Sequence, residues 1–261
     1  DDGTVLVSLG TYIAAMMVGS KNEADPVGYW VNPGATPGEY LYESSGIRRG
    51  MSTISWVLEL LGGDIVEAAR AQGRSVENYM GVLASEVPVG CDGLYTILHW
   101  LARPDHRHER GMMIGFNGTH KGPHMFRSVM EGIAMTMKNN VQAMCDGLGI
   151  PLRHIVVSGG GSNGNLFMQI FADVFGVPAH RNMVNGSAAM GAAICTALAL
   201  GVYETRQQAI EHMVRIRDTF TPVPEHVRLY KDINENVYRH LAEANDPLLR
   251  TSHAIFERGM A

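Results

Sequence analysis

Three consecutive glycines, Gly159, Gly160 and Gly161, stand where an apolar β-branched run (Ile155, Val156, Val157) stops. Ser162, Asn163, Gly164 and Asn165 follow, and then Leu166, Phe167, Ile170, Phe171 and Val174 recur at helical spacing. That order reads strand, glycine turn, helix. Glycine lacks the Cβ that keeps a ligand off the backbone, and a helix start adds unpaired N–H groups and a partial positive charge. Such a site suits a phosphate or the sugar of a nucleotide. As local structure alone, it is a tight turn of an α/β protein.

Residues 159–164 also satisfy G-x-G-x-x-G, the dinucleotide-binding fingerprint. That reading wants an acidic residue at the end of the next strand, and the next strand ends Ala179-His180-Arg181-Asn182, without a carboxylate. Arg181 there would accommodate a 2′-phosphate, so a NADP-dependent oxidoreductase stands as an alternative. Position weakens it, because the fingerprint belongs on the first strand of its sheet. Two other segments compete for phosphate. Gly10 and Thr11, after the strand-like run 4–9, offer a backbone N–H and a hydroxyl. The second is Gly111 to Gly115 with Phe116, ahead of a helix with Pro123 at its start. Inside that helix, Glu131 is expected to cap a buried polar group and Gly132 to admit a second backbone.

Elements that would position these residues follow from periodicity. Residues 4–18 read as two short strands broken at Gly10-Thr11, and 21–50, rich in Gly, Pro, Asn and Ser, as loop with short strands. Helices are expected over 51–61, 64–71 and 75–84, the last two with polar caps. Strands are expected over 93–100 and 112–116. A long helix spans 123–148, with Phe126, Val129, Met130, Ile133, Met137, Val141, Met144 and Leu148 as its buried stripe. After the glycine turn come a strand at 177–181 and a helix of very small residues at 187–200, expected to lie close against the sheet. A helix at 204–213, a strand at 216–220 and a helix from 225 to about 245 complete the pattern, which is that of an α/β domain.

The 261 residues can bury a sizeable core, and 46% hydrophobic with 18% charged residues is ordinary for a globular chain. A net charge of −5 gives no basic patch to steer toward nucleic acid. The longest weakly polar stretch, 187–202, is too short to span a bilayer comfortably. Cys91, Cys145 and Cys195 form no C-x-x-C and are expected to be small buried apolar residues in a reducing compartment, with a cytoplasmic location as the default. The chain opens Asp1-Asp2-Gly3 and runs at once into a strand, so an upstream portion is expected.

Taken together and in this order, Ser8-Leu9-Gly10-Thr11, residues 50–56, 111–132 and 158–176, and Ala188-Ala189-Met190-Gly191-Ala192-Ala193 resemble the FGGY family of carbohydrate kinases. The likeness runs over residues 4–240. Residues 111–131 are similar to the family's C-terminal signature, with Phe116 where a smaller aliphatic residue is usual. Ser158 to Gly161 with Asn165, Met168-Gln169 and Ala172-Asp173 is similar to its adenosine-binding segment.

The resemblance implies a ribonuclease H-like, actin-like ATPase fold with a mixed five-stranded sheet flanked by helices. It implies that residues 1–261 are the C-terminal nucleotide-binding lobe of a two-lobe sugar kinase whose N-terminal lobe lies outside this chain. The implied reaction transfers the γ-phosphoryl of ATP, with Mg²⁺, to a sugar or polyol hydroxyl. Gly10 and Thr11 would face the phosphates, Gly50 could contact them too, and Gly160, Gly161 and Asn165 would hold the adenosine. The family's catalytic aspartate precedes the Gly-Thr turn by more residues than this chain has, so Asp1 and Asp2 are not given that role. No catalytic residue or metal ligand is assigned here. Tyr12 stands where a small hydroxyl residue or glycine is frequent, and the spacing from Gly50 to Trp56 departs slightly from the usual. The isolated chain is expected to be inactive. The non-enzyme alternative is a regulatory or chaperone-like nucleotide-binding lobe of the actin superfamily.

His106 and His108 lack further ligands at metal spacing and read as a solvated loop, one that the family resemblance sets near the cleft. His120, Lys121 and His124 read as surface residues, and the sixteen methionines as adaptable core filling. The final helix, with its charged end at 250–258, is expected to pack on a partner or on the other lobe, and a homodimer is left open.

Overall fold

A computed structural model describes residues 3–258. Asp1 and Asp2 lie outside the described residues. Alternation in the first strand, β1 (Thr4–Leu9), buries Val5, Val7 and Leu9 on one face and leaves Thr4, Leu6 and Ser8 on the other. The chain turns at Gly10–Thr11 into the antiparallel β2 (Ile13–Gly19). Two short strands, β3 (Tyr29–Pro33) and β4 (Tyr40–Ser44), emerge from the Gly- and Pro-rich stretch. Three helices follow: α1 (Met51–Leu60), α2 (Gly63–Ala71) and α3 (Val76–Ser85). The expected polar cap holds for α3, where Ser75 accepts from the Asn78 N–H at 3.2 Å, but α2 begins at Gly62 with no side-chain cap.

Strands β5 (Tyr95–Ile97) and β6 (Met112–Ile114), shorter than their sequence patterns, form a separate two-stranded ribbon. The long helix α4 (Gly122–Leu148) carries Pro123 in its first turn and ends at Gly149 in the left-handed conformation, φ 69°. All eight residues of its expected stripe are buried. Then come β7 (His154–Ser158), α5 (Asn165–Phe175), β8 (Ala179–Asn182), α6 (Ser187–Ala199), α7 (Arg206–Met213), β9 (Ile216–Phe220), α8 (Pro224–Ile233) and, after a single wide turn, α9 (Arg239–Arg258).

The main sheet is mixed, as expected, but has seven strands rather than five, in the order β3-β4-β2-β1-β7-β8-β9. The two additional strands, β3 and β9, lie at the edges, each paired antiparallel to its neighbour. Its central strands, β1, β7 and β8, are parallel. The core lies on the face covered by α4 and α5, where Met130, Met137, Met144 and Met168 do fill space between Ile133, Phe171 and the strands.

Two expectations are corrected on the other side. Helix α6 has no buried residue and packs on α7 rather than close against the sheet. Its cysteine, Cys195, is exposed, whereas Cys91 and Cys145 are buried. Helix α7 is anchored instead by a forked ion pair, Arg206 to Glu39 of the β3–β4 turn at 2.6 and 2.7 Å. Those hydrogen bonds hold the Glu39 carboxyl down to about 2.

A buried charge network locks α4 to its surroundings. Glu131 Oε1 accepts from Arg127 Nε at 2.7 Å, from the Tyr230 hydroxyl at 2.7 Å and from the Gly90 N–H at 3.2 Å. Arg127 also donates to the carbonyls of Ala84 and Val87, so α3, α4 and α8 meet at one point. Burial and the Glu131 carboxylate push the Tyr230 hydroxyl well above its ordinary range, which keeps it a donor. Gly132 beside it has no room for a side chain, since a Cβ would fall 2.5 Å from the Thr96 carbonyl oxygen. Both residues therefore have the roles the sequence assigns them. Glu131→Ala would leave the Arg127 guanidinium buried without its partner, and we expect a loss of about 3–5 kcal/mol. Urea unfolding checks this; an unchanged midpoint would contradict it.

Candidate functional site

Parallel strands β1 and β7 pair in a register that sets Ser8 opposite Ser158. The chain leaves both strands at the same edge, so the Gly10–Thr11 turn and the triple-glycine turn stand side by side. Beyond that edge β1 leads toward β2 on one side and β7 leads toward α5 and β8 on the other. Such a divergence opens a crevice at the carboxyl ends of parallel strands. The turns are in contact: a Cβ on Gly159 would sit 2.5 Å from the Leu9 carbonyl oxygen, and Gly159 holds φ 89°. Only glycine satisfies both conditions.

A cavity of about 1050 Å³ lies against both turns, lined by Gly10 and Thr11 on one side and by Gly160, Gly161 and Asn165 on the other. Among the described residues, no hydrogen bond takes up the N–H groups of Thr11, Gly160 or Gly161. Three helices begin at this cavity, α1 at Met51, α3 at Ser75 and α5 at Asn165, and neither α1 nor α5 has a side-chain cap. Their positive dipole ends give the cavity an electropositive margin suited to an anion, although the Met51 N–H already donates to the Gly10 carbonyl and the Asn78 N–H to Ser75. Arg74 adds a full positive charge, and Glu77 an acidic one, at the α3 side. The remaining wall is apolar, with Ile54, Met130, Phe126, Phe167 and Phe220 available to the faces of a ring.

Arg181 has a different place from the one a NADP site needs. It is 4% exposed and all five of its N–H donors are spent within the protein. Nε and Nη2 donate to Asp218 Oδ2 at 2.8 and 2.6 Å. Nη1 donates to the Ser162 and Asn163 carbonyls at 2.8 and 3.2 Å, and Nη2 also to Asn165 Oδ1 at 3.0 Å. No donor remains for a 2′-phosphate. Hydrogen bonds from Arg217 and Arg181 hold the Asp218 carboxyl below its ordinary range, so it stays charged opposite Arg181.

Residues 5–200 match the FGGY family of carbohydrate kinases, C-terminal domain. The chain belongs to the FGGY family. It is 44% identical over 255 residues to the uncharacterized sugar kinase YgcE of Escherichia coli (strain K12), covering 98% of this chain and 52% of that protein. It is 30% identical over 168 residues to the xylulose kinase of Bacillus subtilis (strain 168), covering 62% of this chain and 34% of the relative. Its structure is similar to a xylulose kinase from Rhodospirillum rubrum, with TM-score 0.81, 25% identity, and 96% of this chain and 49% of the other covered. The fold is thus the actin-like ATPase fold, and the chain spans about half the length of the first of these relatives and of that structure.

Within this FGGY chain, the remaining expected site residues divide. Gly50 does not line the cavity: its N–H donates to the Thr11 carbonyl at 2.7 Å, and a Cβ there would collide with Ile13, so it supports the Gly-Thr turn from behind. Gln169 lines the cavity and is held by Asp173, which also accepts from the Val223 N–H at 2.8 Å. Sequence reasoning missed the α3 wall, Arg74, Ser75, Asn78 and Gly81, where Ser75 signalled only a helix start. The histidine loop does not line this cavity. His108 is buried against Asp246 of α9 at 2.6 Å, not solvated, and His106 lines a second cavity of about 400 Å³. Among the described residues no three His, Cys, Asp or Glu side chains are grouped to hold a metal ion.

Neighbouring glycines provide a test. A Cβ on Gly160 would meet nothing within 4 Å, in contrast to Gly159. We expect Gly160→Val to keep the unfolding midpoint while weakening ADP binding about tenfold, through bulk at the cavity edge. Gly159→Ala should lower both stability and binding. Calorimetric titration beside thermal unfolding checks this; equal behaviour of the two variants would contradict it.

Proposed function

We propose that this chain is the C-terminal, nucleotide-binding lobe of a two-lobe kinase that transfers the γ-phosphoryl of ATP to a hydroxyl of a sugar or polyol. The observation that carries the reading is the single cavity bordered by both glycine turns and by three helix starts. Phosphoryl transfer asks a protein mainly to position groups and to offset charge, and the free N–H groups of Thr11, Gly160 and Gly161 are of that kind. In this reading Gly10 and Thr11 face the phosphates, Gly50 acts through them, and Gly160, Gly161 and Asn165 hold the adenosine against the apolar wall. A glycerol kinase from Plasmodium falciparum solved with ADP has the same fold, with TM-score 0.72.

Mg²⁺ enters the proposal on the nucleotide. Mg²⁺ in such sites is held by substrate phosphates together with one or two carboxylates, so at this lobe phosphate oxygens would carry it. It would offset charge on the transferred phosphoryl group. The acceptor hydroxyl, and the base that takes its proton, belong to the other lobe in this reading. No helix among the described residues is long and apolar enough to cross a membrane, and a supply of ATP is consistent with a cytoplasmic site of action.

The test uses the protein in its full length and a panel of pentoses, hexoses, sugar acids and polyols, with ADP release followed in a coupled assay. We expect acceptor-dependent ADP release with at least one of them, and none from residues 1–261 alone, because loss of a general base costs roughly two to four orders of magnitude. ADP binding without turnover on any acceptor would favour a regulatory lobe and overturn the proposal.

A further inference from the structure

Arg181 is the most heavily committed side chain next to the proposed nucleotide site, yet it does not line the cavity. It stands one layer behind it. Its guanidinium gathers the carbonyls of Ser162 and Asn163, which turns those oxygens toward Arg181. Its outer edge rests on Asp218, and its face lies 5.2 Å from the centre of the Phe220 ring, which does line the cavity. Asn185 braces the same turn from the other end, accepting from the Gly159 N–H at 2.9 Å and donating to Asn163 Oδ1 at 2.9 Å.

The contact with Asn165 decides what that residue can offer. Arginine has donors and no acceptor, so the Asn165 atom facing it is the amide oxygen. The Asn165 amide nitrogen has no partner among the described residues. Arg181 therefore fixes the amide so that its two N–H donors are the group left for a ligand.

We propose that Arg181 is a positioning residue for nucleotide binding. It sets the triple-glycine turn with its N–H groups toward the cavity and orients Asn165 to donate to an acceptor on the base, a ring nitrogen or a carbonyl oxygen. It makes no contact with the nucleotide itself. This inference rests on the nucleotide-binding reading given above and adds the residue that organises it.

Arg181→Met, Arg181→Lys and Asn165→Leu in the full-length protein test it, with kcat, KM for ATP, KM for the acceptor, and ADP affinity by calorimetry. Loss of charge-assisted hydrogen bonds to the turn should raise KM for ATP and the ADP Kd about ten- to hundredfold in Arg181→Met. The acceptor KM and kcat at saturating ATP should change far less, by about threefold or under. Arg181→Lys should recover part of the affinity, and Arg181→Met should cost less in an Asn165→Leu background than alone. A merely structural role would instead lower kcat in proportion to lost folded protein and leave KM for ATP unchanged, which would overturn the inference. Should Arg181→Met fail to fold, Asp218→Asn, which loosens the clamp while keeping the arginine, must give the same split between KM and kcat. Wild-type protein that binds no ADP would overturn the nucleotide reading, and this inference with it; normal wild-type binding with unaltered Arg181 variants overturns this inference alone.

Discussion

The pairing of β1 with β7 is the constraint on which the site depends. Parallel strands in register, Ser8 beside Ser158, deliver two turns 150 residues apart in sequence to the same carboxyl end of the strand pair. A slip of one residue would turn every side chain of β1 to the opposite face, exposing Val5, Val7 and Leu9, so the core itself pins the register. The chain's divergence on either side of that pair then leaves a crevice with no strand to fill it. The location of the cavity is a consequence of topology before any polar side chain is considered.

What topology opens, local chemistry makes polar. The turns present N–H groups because their carbonyls are occupied elsewhere: Gly10 and Thr11 carbonyls accept from Met51 and Gly50, and those of Ser162 and Asn163 from Arg181. Glycine is needed at Gly159 for its conformation and close approach, whereas a Cβ on Gly160 would meet nothing. The division of labour is therefore between a glycine that lets the backbones meet and one that keeps the cavity edge open. Helix α4, locked by Glu131 and Arg127, supplies Phe126 and Met130 to the cavity wall, so the most buried ion pair and the apolar side of the site share one helix.

Much of this was legible in the residues. The order strand, glycine turn, helix at 155–174, the hairpin at Gly10–Thr11 and the stripe of α4 are local patterns, and local patterns survive into the structure. Glu131 and Gly132 were legible because a carboxylate and a glycine inside an apolar helix need a reason. The rest depended on contacts distant in sequence. Nothing near Arg181 announces that its donors will be taken by Asp218, 37 residues on, so its place at a strand end read as a ligand contact. Small residues in α6 promised close packing, but the helix rests on α7 and keeps its surface open. The edge strands β3 and β9 extend a five-strand pattern to seven because pairing at an edge needs only a short extended run. The α3 wall carries no motif at all, since ordinary polar residues become a binding surface only through the helix's placement.

A crystal structure of the full-length protein with ADP would decide whether the two turns share one nucleotide. One nucleotide is expected to span both turns, its diphosphate on the N–H side of Gly10–Thr11 and its adenosine beside Gly160, Gly161 and Asn165. A nucleotide bound at one turn without the other, or in a cavity that neither turn borders, would contradict it.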